Sequence, residues 1–200
     1  MLEFRSALDG HLKPGRYGAA ADPGKLILSE RPLGVLMQVG GWRDSFESVA
    51  SPLLQRLGFA GIGDFAMAQS AGEAIAFRTA PERILLNFPS PTAWEAVAAG
   101  IDQAATPTLD LSHARTVVRV SGPAAAGLLA RLLPIDFDDA AFGPDRFVQS
   151  TLHSVGVLVH RAARPMPCFD IYIPSSYAVT VWDMITHNAV SFGYEVSGAG

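Results

Sequence analysis

The sequence predicts an α+β fold made of two ββαβββα subdomains related by a pseudo-twofold, and three observations carry that prediction. Residues 110–137, DLSHARTVVRVSGPAAAGLLARLLPIDF, read as a strand, a Ser-Gly-Pro turn and a short helix. The same order of elements recurs in both halves of the chain. Two stretches also agree between the halves. Leu36-Met37-Gln38-Val39-Gly40-Gly41 matches Val117-Val118-Arg119-Val120-Ser121-Gly122, and Leu86-Asn87-Phe88-Pro89-Ser90 matches Ile171-Tyr172-Ile173-Pro174-Ser175. Each match runs from a strand towards a helix, where Gly and Pro constrain the backbone path most strongly.

Residues 1–24 hold Gly and Pro without sustained periodicity and are expected to form an extended N-terminal arm. The first subdomain is then expected over 25–104 and the second over 105–200, with Thr106-Pro107 near the joint. In the first, strands at 25–29 and 33–39 are joined at Arg31-Pro32. Trp42, Phe46, Val49, Leu53, Leu54 and Leu57 mark one face of an amphipathic helix, which Gly58, Gly61 and Gly63 end. Strands at 65–69, 74–79 and 83–88 follow, split by turns at Ala71-Gly72 and Pro81-Glu82. A helix carrying Trp94, Val97, Ala98 and Ile101 closes this half.

In the second half, strands are expected at 108–111 and 116–120. Thr116, Val118 and Val120 face inward, and β-branched residues suit that pleated surface. Ser121 reads as an N-cap and Pro123 fits a first helical turn. Leu128, Leu129, Leu132 and Leu133 recur at helical spacing until Pro134 stops the helix. Strands at 146–153, 156–161 and 169–173 precede a last helix with Tyr177, Val181, Met184, Ile185 and Asn188 on one face. The sheets of the two halves are expected to pack their apolar faces into one shared interior, with helices outside.

Composition narrows the function. Apolar residues make up 49% of the chain and charged residues 17%, and the mean hydropathy is +0.24. That balance implies either an unusually large buried fraction or apolar surface meant for a partner, and a partner is expected to be part of the answer. A net charge of −4 leaves no basic stripe for nucleic acid. No apolar run approaches the ~18 residues of a membrane span, and the N-terminus lacks the apolar region of a secretory signal. Cys168 is the single cysteine, which excludes an internal disulfide and a cysteine-based zinc site. Together these features predict a cytoplasmic protein.

Candidate chemistry is sparse. Asp110, Ser112 and His113 suggest a triad, but side chains alternate between faces along a strand, so a capping role for Asp110 or Ser112 is expected instead. His153 and His160 could meet across a hairpin, without an evident third metal ligand. Asp136, Asp138 and Asp139 lack calcium-loop spacing, and Gly58, Gly61 and Gly63 invert the dinucleotide fingerprint. Cys168 is expected to be a buried, inert thiol. Trp42, Trp94 and Trp182 are expected to pack within helices. No catalytic, cofactor or metal residue is therefore assigned. Leu2, Phe4, Leu8 and Leu12 of the arm are expected to bind a partner, so deleting residues 1–15 should leave the fold intact and weaken assembly.

The D-x-S-H…V-x-V-x-G-x-x-A…L…L layout of residues 110–133 resembles the folate-binding domain shared by the glycine cleavage T protein and its relatives. The wider pattern DLSHART…SGP…LL…P-x-D…F-x-P…H-R…F-D-x-Y-x-P-x-S is similar to the gamma subunits of heterotetrameric sarcosine oxidases, and the likeness runs from about residue 26 to residue 194. The resemblance implies assembly with alpha, beta and delta subunits into a complex that oxidatively demethylates sarcosine to glycine, releases hydrogen peroxide and passes a one-carbon unit to tetrahydrofolate. It implies that FAD, FMN, NAD, tetrahydrofolate and zinc sit on the partner subunits and none on this chain. T proteins carry paired carboxylates in a hairpin next to the folate. The corresponding stretch here, 153–160, keeps Gly156 as the turn glycine but has Val159 and His160 at the acidic positions. Without that acid the family's one-carbon chemistry has no general base, which implies a non-catalytic, scaffolding chain. The main alternative is a stand-alone folate-binding protein of the T-protein or tRNA-modification type, and a second is an unrelated hydrolase using His113.

Overall fold

A computed structural model describes residues 6–18 and 25–198. The chain divides into two compact units, one made of residues 1–32 and 113–200 and the other of residues 33–112. This differs from the expected split near residue 105, and the strand order gives the reason.

The element order is β1 (Gly15–Tyr17), β2 (Ile27–Arg31), β3 (Val35–Gly40), α1 (Phe46–Arg56), β4 (Gln69–Ala71), β5 (Ala74–Ala80), β6 (Arg83–Phe88), α2 (Thr92–Ala98), β7 (Thr108–Asp110), β8 (Arg115–Ser121), α3 (Ala125–Leu132), β9 (Phe147–Leu152), β10 (Val155–Arg161), β11 (Cys168–Pro174), α4 (Ala178–Ala189) and β12 (Tyr194–Val196). From β2 to α4 the succession ββαβββα thus occurs twice. One sheet runs β1-β12-β2-β8-β11-β10-β9, the other β4-β5-β6-β3-β7. Each run of ββαβββα has therefore given its first strand away: β2 pairs with β8, and β7 pairs with β3. The exchange makes the larger unit discontinuous in sequence.

The register pairs the matched stretches alike. In the smaller unit Leu36 lies opposite Asn87, Met37 opposite Leu86 and Gln38 opposite Leu85. In the larger unit the corresponding pairs are Val117 with Tyr172, Val118 with Ile171 and Arg119 with Asp170.

Each unit has its own core. In the larger, Val118, Val120, Val159, Phe169, Ile171 and Ile173 meet Leu128 and Leu129 of α3 and Val181, Trp182 and Ile185 of α4. In the smaller, Val39, Ile84 and Leu86 meet Phe46, Ala50, Leu53 and Leu54 of α1 and Trp94 and Val97 of α2. Each of these clusters gathers the buried apolar residues that meet that unit's own helices. A sheet's hydrophobic face is covered locally by its own helices.

Local differences follow from turn chemistry. Helix α1 starts at Phe46, which leaves Trp42 in the preceding turn, 64% exposed, with its indole N–H donating to the Ala104 carbonyl at 3.0 Å. Gly58, at φ +89°, ends that helix in the left-handed conformation open to glycine. The strand expected over 65–69 forms at Gln69–Ala71 instead, and Tyr177 lies before α4 and is 50% exposed.

The N-terminal segment is not a free arm. β1 pairs with β12, and a turn at residues 7–11 carries Leu8, 0% exposed, into the larger unit's core. Leu12 is partly buried against the same core. Leu8 is thus withdrawn from any partner surface, because its side chain already fills the interior. Deletion of residues 1–15 would remove it along with β1's first residue. Leu2 and Phe4 lie outside the described residues.

Candidate functional site

On β8, β10 and β11, residues alternate between the helix-covered face and the opposite one. The opposite face presents Val117, Arg119 and Ser121 from β8, Leu158 and His160 from β10, and Cys168, Asp170 and Tyr172 from β11. Cross-strand pairing puts Arg119 beside Asp170, Asp170 beside His160, and Val117 beside both Arg31 and Tyr172.

This register assembles a buried ion network. Asp170 is 1% exposed. Arg119 grips its carboxylate with both arms of the fork: Nε donates to Oδ1 at 2.7 Å and Nη2 to Oδ2 at 2.9 Å. Arg31 approaches the same carboxylate, Nε to Oδ2, at 3.1 Å, and its Nη2 donates to the Tyr172 hydroxyl at 2.8 Å. Bidentate guanidinium–carboxylate pairing is among the strongest hydrogen-bonding arrangements in proteins, and one carboxylate between two guanidiniums leaves a net positive charge.

The electrostatics follow the burial. Desolvation draws the Arg119 guanidinium down, but its hydrogen bonds to Asp170 and that carboxylate's charge outweigh it and hold the group above its ordinary value. Burial pushes His160 down to about 4, with Arg31 and Arg119 adding to the shift and Asp170 opposing it. The imidazole is neutral at pH 7. Burial also holds the Tyr172 phenol far above its usual value and raises the Cys168 thiol. None of these groups is poised near neutrality for proton transfer. The network as it stands is an electrostatic lock across β2, β8 and β11.

At the register-equivalent positions of the smaller unit stand Gln38, Leu85, Asn87 and Phe77. The ion network therefore belongs to one unit only. Sequence reasoning passed over its members, although an Asp inside the apolar run Cys168–Ile173 and an Arg inside Val117–Val120 are the kind of buried charges that require partners.

The residues singled out from sequence are not brought together as a site. Ser112 donates to Asp110 Oδ1 from its backbone N at 2.8 Å and its Oγ at 2.6 Å, and Ser112 Oγ accepts the Leu36 N–H at 3.0 Å. The pair closes a turn that ties β7 to β3, while His113 is exposed. His153 sits in the β9–β10 turn at φ +52°, and His160 pairs with Phe147 at the far end of the hairpin, so the two histidines do not face each other. Gly156 lies in β10 opposite Thr151 and not in the turn, which His153 and Ser154 form. Asp139 meets Arg161 at 2.6 Å, and Asp136 Oδ1 accepts the Asp138 N–H at 3.0 Å. Cys168 is buried. Among the described residues no group of three His, Cys, Asp or Glu is placed to hold a metal, and no helix is long and apolar enough to cross a membrane.

No family model matches the sequence. The class of fold is clear from solved structures. The glycine cleavage system aminomethyltransferase T from Bartonella henselae matches with a TM-score of 0.57 and 15% identity over 89% of this chain and 48% of that one. A chain of the heterotetrameric sarcosine oxidase from Corynebacterium sp. U-96, solved with pyrrole 2-carboxylate, matches with a TM-score of 0.77 and 21% identity over 97% of this chain and 99% of its own. The chain has the mixed α+β fold of both. In sequence it is similar to the sarcosine oxidase subunit gamma of Corynebacterium sp. (strain U-96), 30% identical over 91 residues. That stretch is 46% of this chain and 44% of the relative's length.

Proposed function

We propose that this chain is the gamma-type subunit of a heterotetrameric sarcosine oxidase and that its contribution is structural. The observation that carries the reading is the structural match across 97% of this chain and 99% of a sarcosine oxidase chain. The local sequence likeness to a gamma subunit supports it. Alpha, beta and delta chains are the proposed partners. FAD, FMN, NAD, tetrahydrofolate and zinc are assigned to them, and the complex turns sarcosine into glycine with release of hydrogen peroxide in the cytoplasm.

A non-catalytic role is favoured by the chemistry of the β9–β10 hairpin and its surroundings. The hairpin from Phe147 to Arg161 contains no carboxylate, and the nearest buried acid, Asp170, is shared by two arginines. A carboxylate so engaged is a poor general base. The repeated ββαβββα order and the matching register favour an origin by duplication, with the two units as diverged copies related by a pseudo-twofold.

The test is purification of the tagged full chain from its native host. The expected result is a complex with flavin-bearing large subunits that oxidises sarcosine and makes peroxide. A chain that purifies alone and itself binds tetrahydrofolate would overturn the reading in favour of a stand-alone folate-binding protein. An assembly that oxidises a different N-methyl amine would overturn the substrate assignment.

A further inference from the structure

Beside the ion network, the same sheet face opens into a groove of about 350 Å³ lined by Arg119, Ser121, Arg164, Pro165, Met166 and Cys168. A volume of this size suits a small molecule. The β10–β11 connection forms one wall. Its ends are tied down, Ala162 N donating to the Cys168 carbonyl at 2.9 Å and Gly122 N to the Pro167 carbonyl at 2.9 Å. Arg164 and Met166 each precede a proline, which restricts both to extended backbone. The wall is therefore stiff before any ligand arrives.

The polar groups in the groove are donors. Asp170 occupies Nε and Nη2 of Arg119, which fixes the plane of that guanidinium and leaves Nη1 for a further acceptor. Ser121 Oγ makes only a long contact, 3.5 Å, to the Ile27 carbonyl. Arg164 is exposed and has no ion-pair partner among the described residues. The groove thus carries the surplus positive charge of the Arg31–Asp170–Arg119 network plus that of Arg164, on a chain whose net charge is −4. Pro165, Met166 and the Cys168 side chain supply apolar surface beside those donors.

We propose that this groove is a binding site for the carboxylate of a small organic acid. The carboxylate lies between Arg119 Nη1 and the Arg164 guanidinium and accepts from Ser121 Oγ, and a short apolar tail lies on Met166 and Pro165. The rigid Arg119 supplies orientation, since its fork is set by a buried acid before binding. The apolar wall selects an organic carboxylate over a fully hydrated inorganic anion. This inference rests on the groove alone and is independent of the function proposed above.

Propionate titrated into the full-length, isotope-labelled chain provides the test, with amide shifts followed by NMR. Propionamide, the neutral isostere, and inorganic phosphate are titrated alongside. The expected result is saturable shifts centred on Ser121, Arg164 and Cys168. Arg164→Gln should weaken propionate binding by about ten-fold or more, the scale of one charge-assisted hydrogen bond. Arg164 is exposed, so its substitution leaves folding intact, and Ser121→Ala offers a second, milder loss. Shifts elsewhere, no saturable binding, equal affinity for propionamide or for phosphate, or unchanged affinity in Arg164→Gln would each overturn the proposal.

Discussion

Replacing Asp170 with Asn tests whether the ion network holds the larger unit's sheet together. The amide keeps the side chain's shape but removes the charge shared by Arg119, at 2.7 Å, and Arg31, at 3.1 Å. Breaking a buried pair typically costs about 3–5 kcal/mol, because the surviving charge is left without compensation. Here the arginine side chains retain 22% and 18% exposure, so water relieves part of that strain. A loss near the lower bound, about 3 kcal/mol, is expected. For a chain of this size that corresponds to a fall in Tm of about 6–12 °C, read by far-UV circular dichroism. The triple variant Arg31→Leu, Arg119→Met, Asp170→Leu should recover much of the loss, since apolar replacement of a whole buried network is often neutral. A fall of less than about 2 °C in Asp170→Asn would refute the reasoning, because a charge worth under 1 kcal/mol is not an interior lock.

Acid lability is a second expectation. The folded-state pKa of His160 is lowered to about 4, so below the unfolded value of about 6.5 the unfolded chain binds a proton that the folded one refuses. Stability is then lost as pH falls from about 6.5 towards 4, by on the order of 3 kcal/mol, and His160→Gln should flatten that limb in denaturant titrations at stepped pH; an unchanged slope would count against it. Leu8→Ala should cost about 2–5 kcal/mol in chemical unfolding, as expected for a fully buried leucine, whereas a surface anchor would cost almost nothing. Cys168 is 3% exposed and its thiol is raised by burial, so a thiol reagent should label the native chain far more slowly than the denatured one, and comparable rates would contradict the burial.

Most of the element order was legible in the sequence because the strands are β-branched runs punctuated by Gly and Pro, and the helices show apolar spacing near 3.6. The pairing of Leu36–Gly41 with Val117–Gly122 was legible for the same reason. Partner choice between strands was not. Nothing in Ile27–Arg31 or Thr108–Asp110 says that each joins the sheet of the other half, since ladder hydrogen bonds are backbone bonds and carry no side-chain signature. The first segment reads as an arm because Leu8 and Leu12, which pack into the core, sit among Gly, Pro and charged residues, without the longer periodic run that marks a core element. At the candidate site, histidines and an Asp-Ser-His run drew notice by residue type. The residues that do converge, Arg31, Arg119 and Asp170, lie on three strands far apart in sequence, and only register brings them within 3.1 Å.

The exchanged strands also govern how the chain is made. β2 ends at Arg31 and leaves the ribosome early, but its ladder neighbour β8 begins only at Arg115, and β12, on its other side, at Tyr194. Between them lies the whole of the smaller unit, which is continuous from residue 33 to residue 112 and becomes complete when β7 emerges. Domains fold as units during synthesis, so the smaller unit can close while β2 waits with both edges open. An unpaired strand of alternating apolar residues is a template for wrong partners. β12, which pairs with β2 and β1, is what ends that wait, so a truncation that spares every helix but removes β12 would leave one edge of β2 exposed for the life of the protein.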